Sequence, residues 1–150
     1  MRKYLSIVLF FLFFQTGNLA SQDGYPRNPS VDITHYKFEL KISDNNDSLF
    51  GKTTISLKIK QSISQLTLDF QNVTENGQGM LVLGVEGKEG SLTFNHKGEK
   101  LVIDLSADPG EYQIGLSYKG VPKDGLIISE NKHGDRTFFC DNWPNRAHQY

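Results

Sequence analysis

The chain has 150 residues and a formal net charge of −1, with 16 basic and 17 acidic side chains. This length is sufficient for one domain with a hydrophobic core. The near-neutral charge argues against a nucleic-acid-binding protein, because such a protein must neutralise many phosphates. Hydrophobic residues make up 37% of the chain, which argues against long disordered stretches.

The first 21 residues follow a different pattern from the rest. Arg2 and Lys3 precede an apolar run over residues 7–14, and small or polar residues follow as far as Ser21. This arrangement is typical of a secretory signal peptide, with a buried N-terminal helix as the alternative. The run is too short for a permanent membrane span, which needs about 20 apolar residues. We therefore predict a signal peptide over residues 1–21, cleaved after Ala20 or Ser21, and a secreted or periplasmic mature chain.

The single cysteine is Cys140. In an oxidising compartment, a lone thiol is either buried and inert or bound to a partner elsewhere. Cys140 lies ten residues before the last residue of the sequence. Both interpretations stay open: a buried free thiol, or a disulfide partner beyond Tyr150.

Alternation of apolar and polar residues dominates the region after residue 30. Residues 31–43 predict a half-buried strand, and its apolar side chains are Tyr36, Phe38, Leu40 and Ile42. A polar turn is predicted over residues 44–48. A second strand over residues 50–60 directs inward the side chains of Ile55, Leu57 and Ile59. Together these elements predict a long antiparallel hairpin.

Shorter strands are predicted further along the chain. They are centred on residues 66–70, 81–85, 92–94, 101–105, 112–118, 126–129 and 137–140. Residues 95–98 are predicted to form a turn, and Leu81, Leu83 and Val85 are predicted to alternate along one strand. No window shows a sustained helical period outside the signal peptide. The fold class is therefore all-β, either a sandwich or a large twisted antiparallel sheet.

The motifs of common catalytic sites are absent from this sequence. A hydrolytic zinc site often uses two His four residues apart on a helix, with Glu beside the first. None of the four histidines has this spacing, and we interpret each as a surface residue: His35, His96, His133 and His148. The nucleophile elbow, the P-loop and the dinucleotide fingerprint are also missing. Residues 44–48 lack the Gly and Glu that complete a calcium loop, so a solvated turn is predicted.

The most informative segment is D-N-W-P-N-R-A-H over residues 141–148, which contains the only tryptophan, Trp143. On composition alone, Trp143-Pro144 is also compatible with a core plug at a strand end. The segment resembles the region near the end of the N-terminal domain of the M1 family of zinc aminopeptidases, the gluzincins that include aminopeptidase N and leukotriene A4 hydrolase. Y-P at 25–26 with residues 31–40, F-G-K-T-T-I at 50–55, and E-Y-Q-I at 111–114 with Y-K-G at 118–120 are similar to earlier strands of that domain.

This resemblance implies a fold and a role for residues 22–150. The fold would be an antiparallel, saddle-like β-sandwich, incomplete at its C-terminal end and preceded by the signal peptide. The family's H-E-x-x-H zinc helix would lie in a catalytic domain further along the same polypeptide. The resemblance thus implies no cofactor in this chain, zinc in the full-length parent, and two partners: the catalytic domain and a peptide substrate. The chain by itself is expected to be non-catalytic.

The resemblance also implies a contact for the substrate. In the M1 family, a Gln or Glu in this part of the β domain helps to hold the amino terminus of the substrate. The nearest matching positions here carry Asp141 and Asn142, each one methylene shorter. A carboxylate suits an ammonium group because charge-assisted hydrogen bonds are strong, so Asp141 is the preferred contact and Asn142 the second. The alternative is that both shape the turn before Trp143-Pro144.

A stand-alone exported β-sandwich that binds carbohydrate or protein is the second functional hypothesis. It is favoured by the all-β pattern, by the lack of a catalytic set, and by Tyr118 and Trp143 if both are exposed aromatics. The coding sequence beyond Tyr150 discriminates between the two hypotheses, because an H-E-x-x-H motif is expected only for the peptidase.

Overall fold

A computed structural model describes residues 28–123 and 125–140. The predicted signal peptide, Asp141, Asn142, Trp143 and His148 all lie outside the described residues. The described strands are β1 (Val31–Lys41), β2 (Leu49–Ile59), β3 (Ile63–Asp69), β4 (Gly79–Gly87), β5 (Gly90–Ser91), β6 (Phe94–Lys97), β7 (Lys100–Ala107), β8 (Gly110–Val121), β9 (Leu126–Glu130) and β10 (Arg136–Cys140). Paired strands are antiparallel and no helix occurs in the described ranges. The predicted all-β, antiparallel fold class is confirmed.

The strands form two sheets and a hairpin. The large sheet has the order β1-β2-β8-β4-β5, the small sheet has the order β3-β7-β6, and β9 pairs with β10. The predicted β1–β2 hairpin is confirmed, with Tyr36 opposite Ile55. Nothing in the described ranges is a helix that is long and apolar enough to cross a membrane.

The hydrophobic core lies between the two sheets. Alternation along β2 places Ile55, Leu57 and Ile59 on one face of the large sheet, and each is at most 2% exposed. We call this the inner face. The small sheet contributes Leu101 and Ile103 to the same cluster, both 0% exposed. Burying apolar side chains of this size contributes about 1.5–3 kcal/mol each, so this cluster is the main source of stability.

The predicted alternation of Leu81, Leu83 and Val85, which would place all three on one face of the strand, is wrong. The register between β4 and β8 shifts between Val82 and Gly84, which is a β-bulge that reverses the alternation. Val82 and Val85 therefore both enter the core, at 7% and 1% exposure. Leu81 and Leu83 are 46% and 52% exposed.

The prediction of a half-buried β1 is correct only for its first half. Val31, Ile33 and Tyr36 pack against the core. Phe38 and Leu40 lie on the inner face too, because they pair with Thr53 and Gly51, which are buried. They are nevertheless 59% and 49% exposed, since none of the described residues covers this end of the sheet. Ile42 beyond the strand is 42% exposed.

The predicted turn over residues 95–98 is also wrong in most of its length. Residues 95–97 belong to β6, and the turn lies at Gly98, whose φ of 60° is in the left-handed region. Phe94 pairs with Ile103 and His96 with Leu101. Alternation from Phe94 therefore continues through His96, which takes an inward-facing strand position.

Candidate functional site

The hairpin of β9 and β10 leads directly to the predicted substrate-contact residues. Its register runs from Arg136 opposite Glu130 to Cys140 opposite Leu126. Asp141 and Asn142 follow Cys140 in the sequence and lie outside the described residues. The last described residue before them is Cys140, at the end of β10.

The loop of this hairpin is built around one asparagine side chain. Asn131 Oδ1 accepts hydrogen bonds from the backbone N–H groups of His133 at 2.8 Å and Asp135 at 3.0 Å. Gly134 has a φ of 85°, a left-handed conformation that favours glycine. Asn and Gly are the residues that such turns require. The loop thus fixes the strand register and explains why His133 is exposed, as predicted.

Arg136 and Leu126 both attach the hairpin to the rest of the domain. Arg136 Nη1 forms an ion pair with the carboxylate of Asp47 in the turn between β1 and β2. Leu126 packs against the main core. Within the hairpin, the hydroxyl groups of Ser129 and Thr137 lie 2.8 Å apart. One strand is therefore held at the β1–β2 turn and the other at the core.

The thiol of Cys140 is exposed in the described structure. The interpretation of Cys140 as a buried, inert thiol is therefore wrong. The other interpretation, a disulfide partner beyond Tyr150, stays a prediction.

The described surface beside the turn between β1 and β2 carries a shallow depression. It has a volume of about 340 Å³ and lies between β1 and β2, lined by Glu39, Leu40, Lys41, Phe50, Gly51 and Lys52. Binding sites for small molecules usually bury most of the ligand surface. This depression is open to solvent, so it is suited to a flat contact and does not enclose a small ligand.

Tyr118 is not the exposed aromatic residue that the binding-module hypothesis expects. Its side chain is 6% exposed, and its hydroxyl group lies 3.1 Å from Thr53 Oγ1. Phe70 packs edge-on against its ring, with the centroids 5.0 Å apart. The ring lies over Gly51, where a Cβ atom would come closer than 3.0 Å to it. Tyr118 is therefore a core residue.

The prediction that His96 is a surface residue is wrong, because its side chain is partly buried. Its Nε2 donates to the backbone carbonyl of Phe70 at 2.9 Å. The Nδ2 of Asn72 donates to the backbone carbonyl of His96, also at 2.9 Å. Because a carbonyl only accepts, Nε2 carries the hydrogen in this arrangement, and Nδ1 is buried without a partner. These bonds connect β6 to the segment after β3. His35 is exposed, as predicted.

In residues 28–123 and 125–140, no group of three or more His, Cys, Asp or Glu side chains is placed to hold a metal. A structural or catalytic zinc site needs three or four such ligands. The described residues therefore do not fit zinc.

Comparison with known proteins gives matches at the level of structure. No family model matches the sequence, and no curated protein matches it either. Native yeast leukotriene A4 hydrolase matches with a TM-score of 0.63 and 18% identity over 80% of this chain and 20% of that chain. An M1 zinc metallopeptidase from Deinococcus radiodurans matches with a TM-score of 0.53 and 21% identity over 70% of this chain and 24% of that chain.

A third similar structure is a mutant of a two-domain M1 zinc metallopeptidase bound to L-arginine. Its TM-score is 0.54, with 18% identity over 81% of this chain and 26% of that chain. The present chain thus spans between a fifth and about a quarter of the length of these proteins. The resemblance to the M1 family is confirmed for the fold: this chain has the β fold of a part of M1 zinc metallopeptidases and leukotriene A4 hydrolase.

Proposed function

We propose that this chain is the N-terminal β domain of a secreted M1-type zinc aminopeptidase, which removes N-terminal residues from peptides. The observation that carries the proposal is the shared fold over 80% of the chain with leukotriene A4 hydrolase and 70% with an M1 zinc metallopeptidase. The resemblance of residues 141–148 to the same family supports it independently. In this proposal, the chain binds and positions the substrate and is not catalytic by itself.

The contribution of this chain is a contact for the free amino terminus of the peptide. Arg136, paired with Asp47, and Leu126, packed on the core, hold the hairpin that leads to Asp141. A carboxylate that directly follows a well-supported strand in the sequence is a suitable partner for an ammonium group. In this proposal, the zinc ion and the residues that hold it belong to a catalytic domain of the same polypeptide.

The hypothesis of a carbohydrate-binding module has lost one of its supports. It relied on Tyr118 and Trp143 as exposed aromatics, but Tyr118 is 6% exposed and held within the core. The depression between β1 and β2 is too open to enclose a sugar. A role as one domain of a larger enzyme fits these observations better.

The first test is the sequence of the transcript beyond the codon for Tyr150. The proposal predicts an open reading frame that continues and encodes H-E-x-x-H roughly two hundred residues further, on a predicted helix. A reading frame that ends without a zinc-binding motif would contradict the peptidase proposal and leave the binding module as the better hypothesis.

The second test addresses Asp141 in the extended enzyme. Replacing Asp141 by Ala should lower kcat/KM for aminoacyl reporter substrates about 10–100-fold, because a hydrogen bond to a charged group contributes about 1.5–3 kcal/mol. Asn142→Ala should have a smaller effect, because a neutral amide forms a weaker hydrogen bond to an ammonium group than a carboxylate does. Unchanged kinetics in a well-folded Asp141→Ala variant would show that Asp141 only shapes the turn.

Export is a separate part of the proposal. Residues 1–21 support it through their basic start, apolar run and small-residue exit. N-terminal sequencing of material recovered outside the cytoplasm should find a chain that starts at Ser21 or Gln22. Recovery of an intact Met1 on such material would overturn it.

A further inference from the structure

Strand β1 forms one edge of the large sheet. Within the described ranges it pairs with β2 alone, and it is eleven residues long, Val31–Lys41. An edge strand carries a row of backbone donors and acceptors that face away from its neighbour and that another strand can pair with. The register shift between Ile33 and His35 interrupts the ladder with β2 at one point. The regular part of the strand is therefore residues 35–41.

The inner face of this regular part is apolar, and it is uncovered at Phe38 and Leu40. The rings of Tyr36 and Phe38 are stacked, with centroids 5.6 Å apart and an interplanar angle of 11°. Phe38 and Leu40 are 59% and 49% exposed. These three apolar side chains at alternate positions form a row, and an added edge strand would place its own side chains beside them. The outer face carries charges instead, at Lys37, Glu39 and Lys41.

The order of residues around Phe38 is complementary to itself. Consider two copies of β1 paired antiparallel about a two-fold axis that is perpendicular to the sheet and lies midway between Phe38 of one copy and Phe38 of the other. We call this the register centred on Phe38. Lys37 of each copy then lies opposite Glu39 of the other on the outer face. Tyr36 lies opposite Leu40 on the inner face. Directly opposed residues of opposite charge, and apolar pairs, stabilise antiparallel sheets.

Two neighbouring registers lack this complementarity. A register centred on Glu39 places Glu39 opposite itself and Lys37 opposite Lys41, and one centred on Lys37 places Lys37 opposite itself. Like charges directly opposite each other are destabilising, so the charges exclude these two. A register centred on Leu40 also pairs Glu39 with Lys41, but it places Lys37 opposite Ser43, so the response of the dimer to a charge change at Lys37 distinguishes it from the register centred on Phe38.

We propose that the β1 edge binds the β1 edge of a second copy of this chain, antiparallel and centred on Phe38. The two large sheets become one continuous sheet, in which Phe38 lies beside Phe38 of the other copy and Leu40 lies beside Tyr36 of the other copy. The ion pair between Lys37 Nζ and Glu39 Oε1, 3.3 Å within one chain, is replaced by two such pairs between the chains. The symmetry is isologous, the commonest form of dimer. This inference does not depend on the proposed peptidase function.

The contact is smaller than a standard interface, so the dimer is expected to dissociate at micromolar concentrations. Sedimentation of the purified full chain between about 1 and 300 μM should show a monomer that converts to a dimer as concentration rises. Lys37→Glu places two glutamates opposite each other at both symmetric positions, and Glu39→Lys does the same with lysines. Each single change should raise the dimer Kd at least about tenfold.

The double variant K37E/E39K restores opposite charges at both positions and should return the Kd to within about threefold of the original. Lys88→Glu is the matched control, because Lys88 is exposed in the turn between β4 and β5, and it should leave the Kd unchanged. Circular dichroism checks that every variant keeps its β structure.

A chain that stays monomeric up to about 300 μM would overturn the proposal. This holds whether the terminal residues of the same chain pair with the edge of β1 or the edge binds nothing. Association that ignores the single charge changes would show that another surface is responsible. Single changes that weaken the dimer without rescue by the double variant would exclude the register centred on Phe38.

Discussion

The inner face of the large sheet has a covered region and an uncovered region, although both carry the same sequence pattern. Ile55, Leu57 and Ile59 of β2 alternate with polar residues, as do Tyr36, Phe38 and Leu40 of β1. The β2 residues are at most 2% exposed, whereas Phe38 and Leu40 are 59% and 49% exposed. The difference arises because the small sheet contributes side chains opposite β2 and not opposite the end of β1. Alternation therefore identifies the apolar face of a strand, but not whether another layer covers it.

The boundary between the two regions lies at Gly51. This residue is buried beneath the ring of Tyr118 and is the cross-strand partner of Leu40. A Cβ atom at this position would come closer than 3.0 Å to the ring, so the ring would have to shift to accommodate it. At this end of the sheet, coverage of the inner face thus ends with the Tyr118 ring over β2, whereas the first half of β1 is covered.

The largest expected effect comes from truncating a leucine in the covered region. Leu101→Ala should lower the free energy of unfolding by about 2–5 kcal/mol, because it leaves a cavity in a fully buried cluster. The matched change in the uncovered region, Leu40→Ala, should cost less than about 1 kcal/mol. Urea unfolding at dilutions that favour the monomer measures both values. Equal losses would mean that Leu40 is as well covered as Leu101; if Leu101→Ala does not fold, Ile103→Val provides a milder truncation.

The boundary itself is tested by adding a methyl group. Gly51→Ala should cost about 1–3 kcal/mol, because the Tyr118 ring must move within a packed core. The matched control is Gly84→Ala, where no atom lies within 4 Å of the added carbon. That control should be neutral or stabilise the protein by about 0.4–1 kcal/mol through the unfolded chain. Thermal unfolding of both variants gives the comparison, and a neutral Gly51→Ala would show that Tyr118 does not limit the boundary.

A smaller effect is expected from the hydrogen bond that orients Tyr118. Thr53 is 3% exposed and its hydroxyl lies 3.1 Å from the Tyr118 hydroxyl. Thr53→Val should cost about 1–2 kcal/mol, since the tyrosine hydroxyl stays buried without a partner. Adding Tyr118→Phe should cost little more, because both polar groups are then gone. Additive losses in the double variant would show that the two hydroxyl groups do not interact.

The smallest effect is expected at the hairpin beside the uncovered region. Arg136→Ala removes the ion pair with Asp47, whose side chain is 55% exposed. The global free energy of unfolding should therefore fall by less than about 1 kcal/mol. The amides of β10 should nevertheless exchange hydrogen faster, because local stability depends on local contacts. Lys132→Ala, in the exposed hairpin loop, is the control and should leave that exchange unchanged.

The sequence predicted the strands of the covered region well, because alternation and turn residues are local signals. Ile55, Leu57 and Ile59, and likewise Ile114 and Leu116, are buried as their pattern indicates. The β4 bulge was not predictable, because it depends on the pairing of Val82 and Gly84 with β8 and not on local propensity. His96 was misjudged for a related reason. Its neighbours read as a turn, while its inward position follows from its register with Leu101.

The candidate site was predictable only through family resemblance. Asp141 and Asn142 carry no local pattern that distinguishes a substrate contact from a turn. The strand that precedes them in the sequence, β10, is supported by the ion pair of Arg136 with Asp47, 89 residues apart in the sequence. Such a long-range contact leaves no periodic signal, although the signals of the Asn131 loop are visible as Asn and Gly at turn positions.

The most direct measurement for the proposed function is hydrolysis of aminoacyl reporter substrates by the polypeptide encoded by the extended reading frame. We expect release of the N-terminal residue that a metal chelator abolishes and added zinc restores, with one zinc bound per chain. The 150-residue chain should show neither activity nor stoichiometric zinc. An extended polypeptide that binds no zinc and releases no N-terminal residue, although folded, would contradict the proposal that this β domain serves an aminopeptidase.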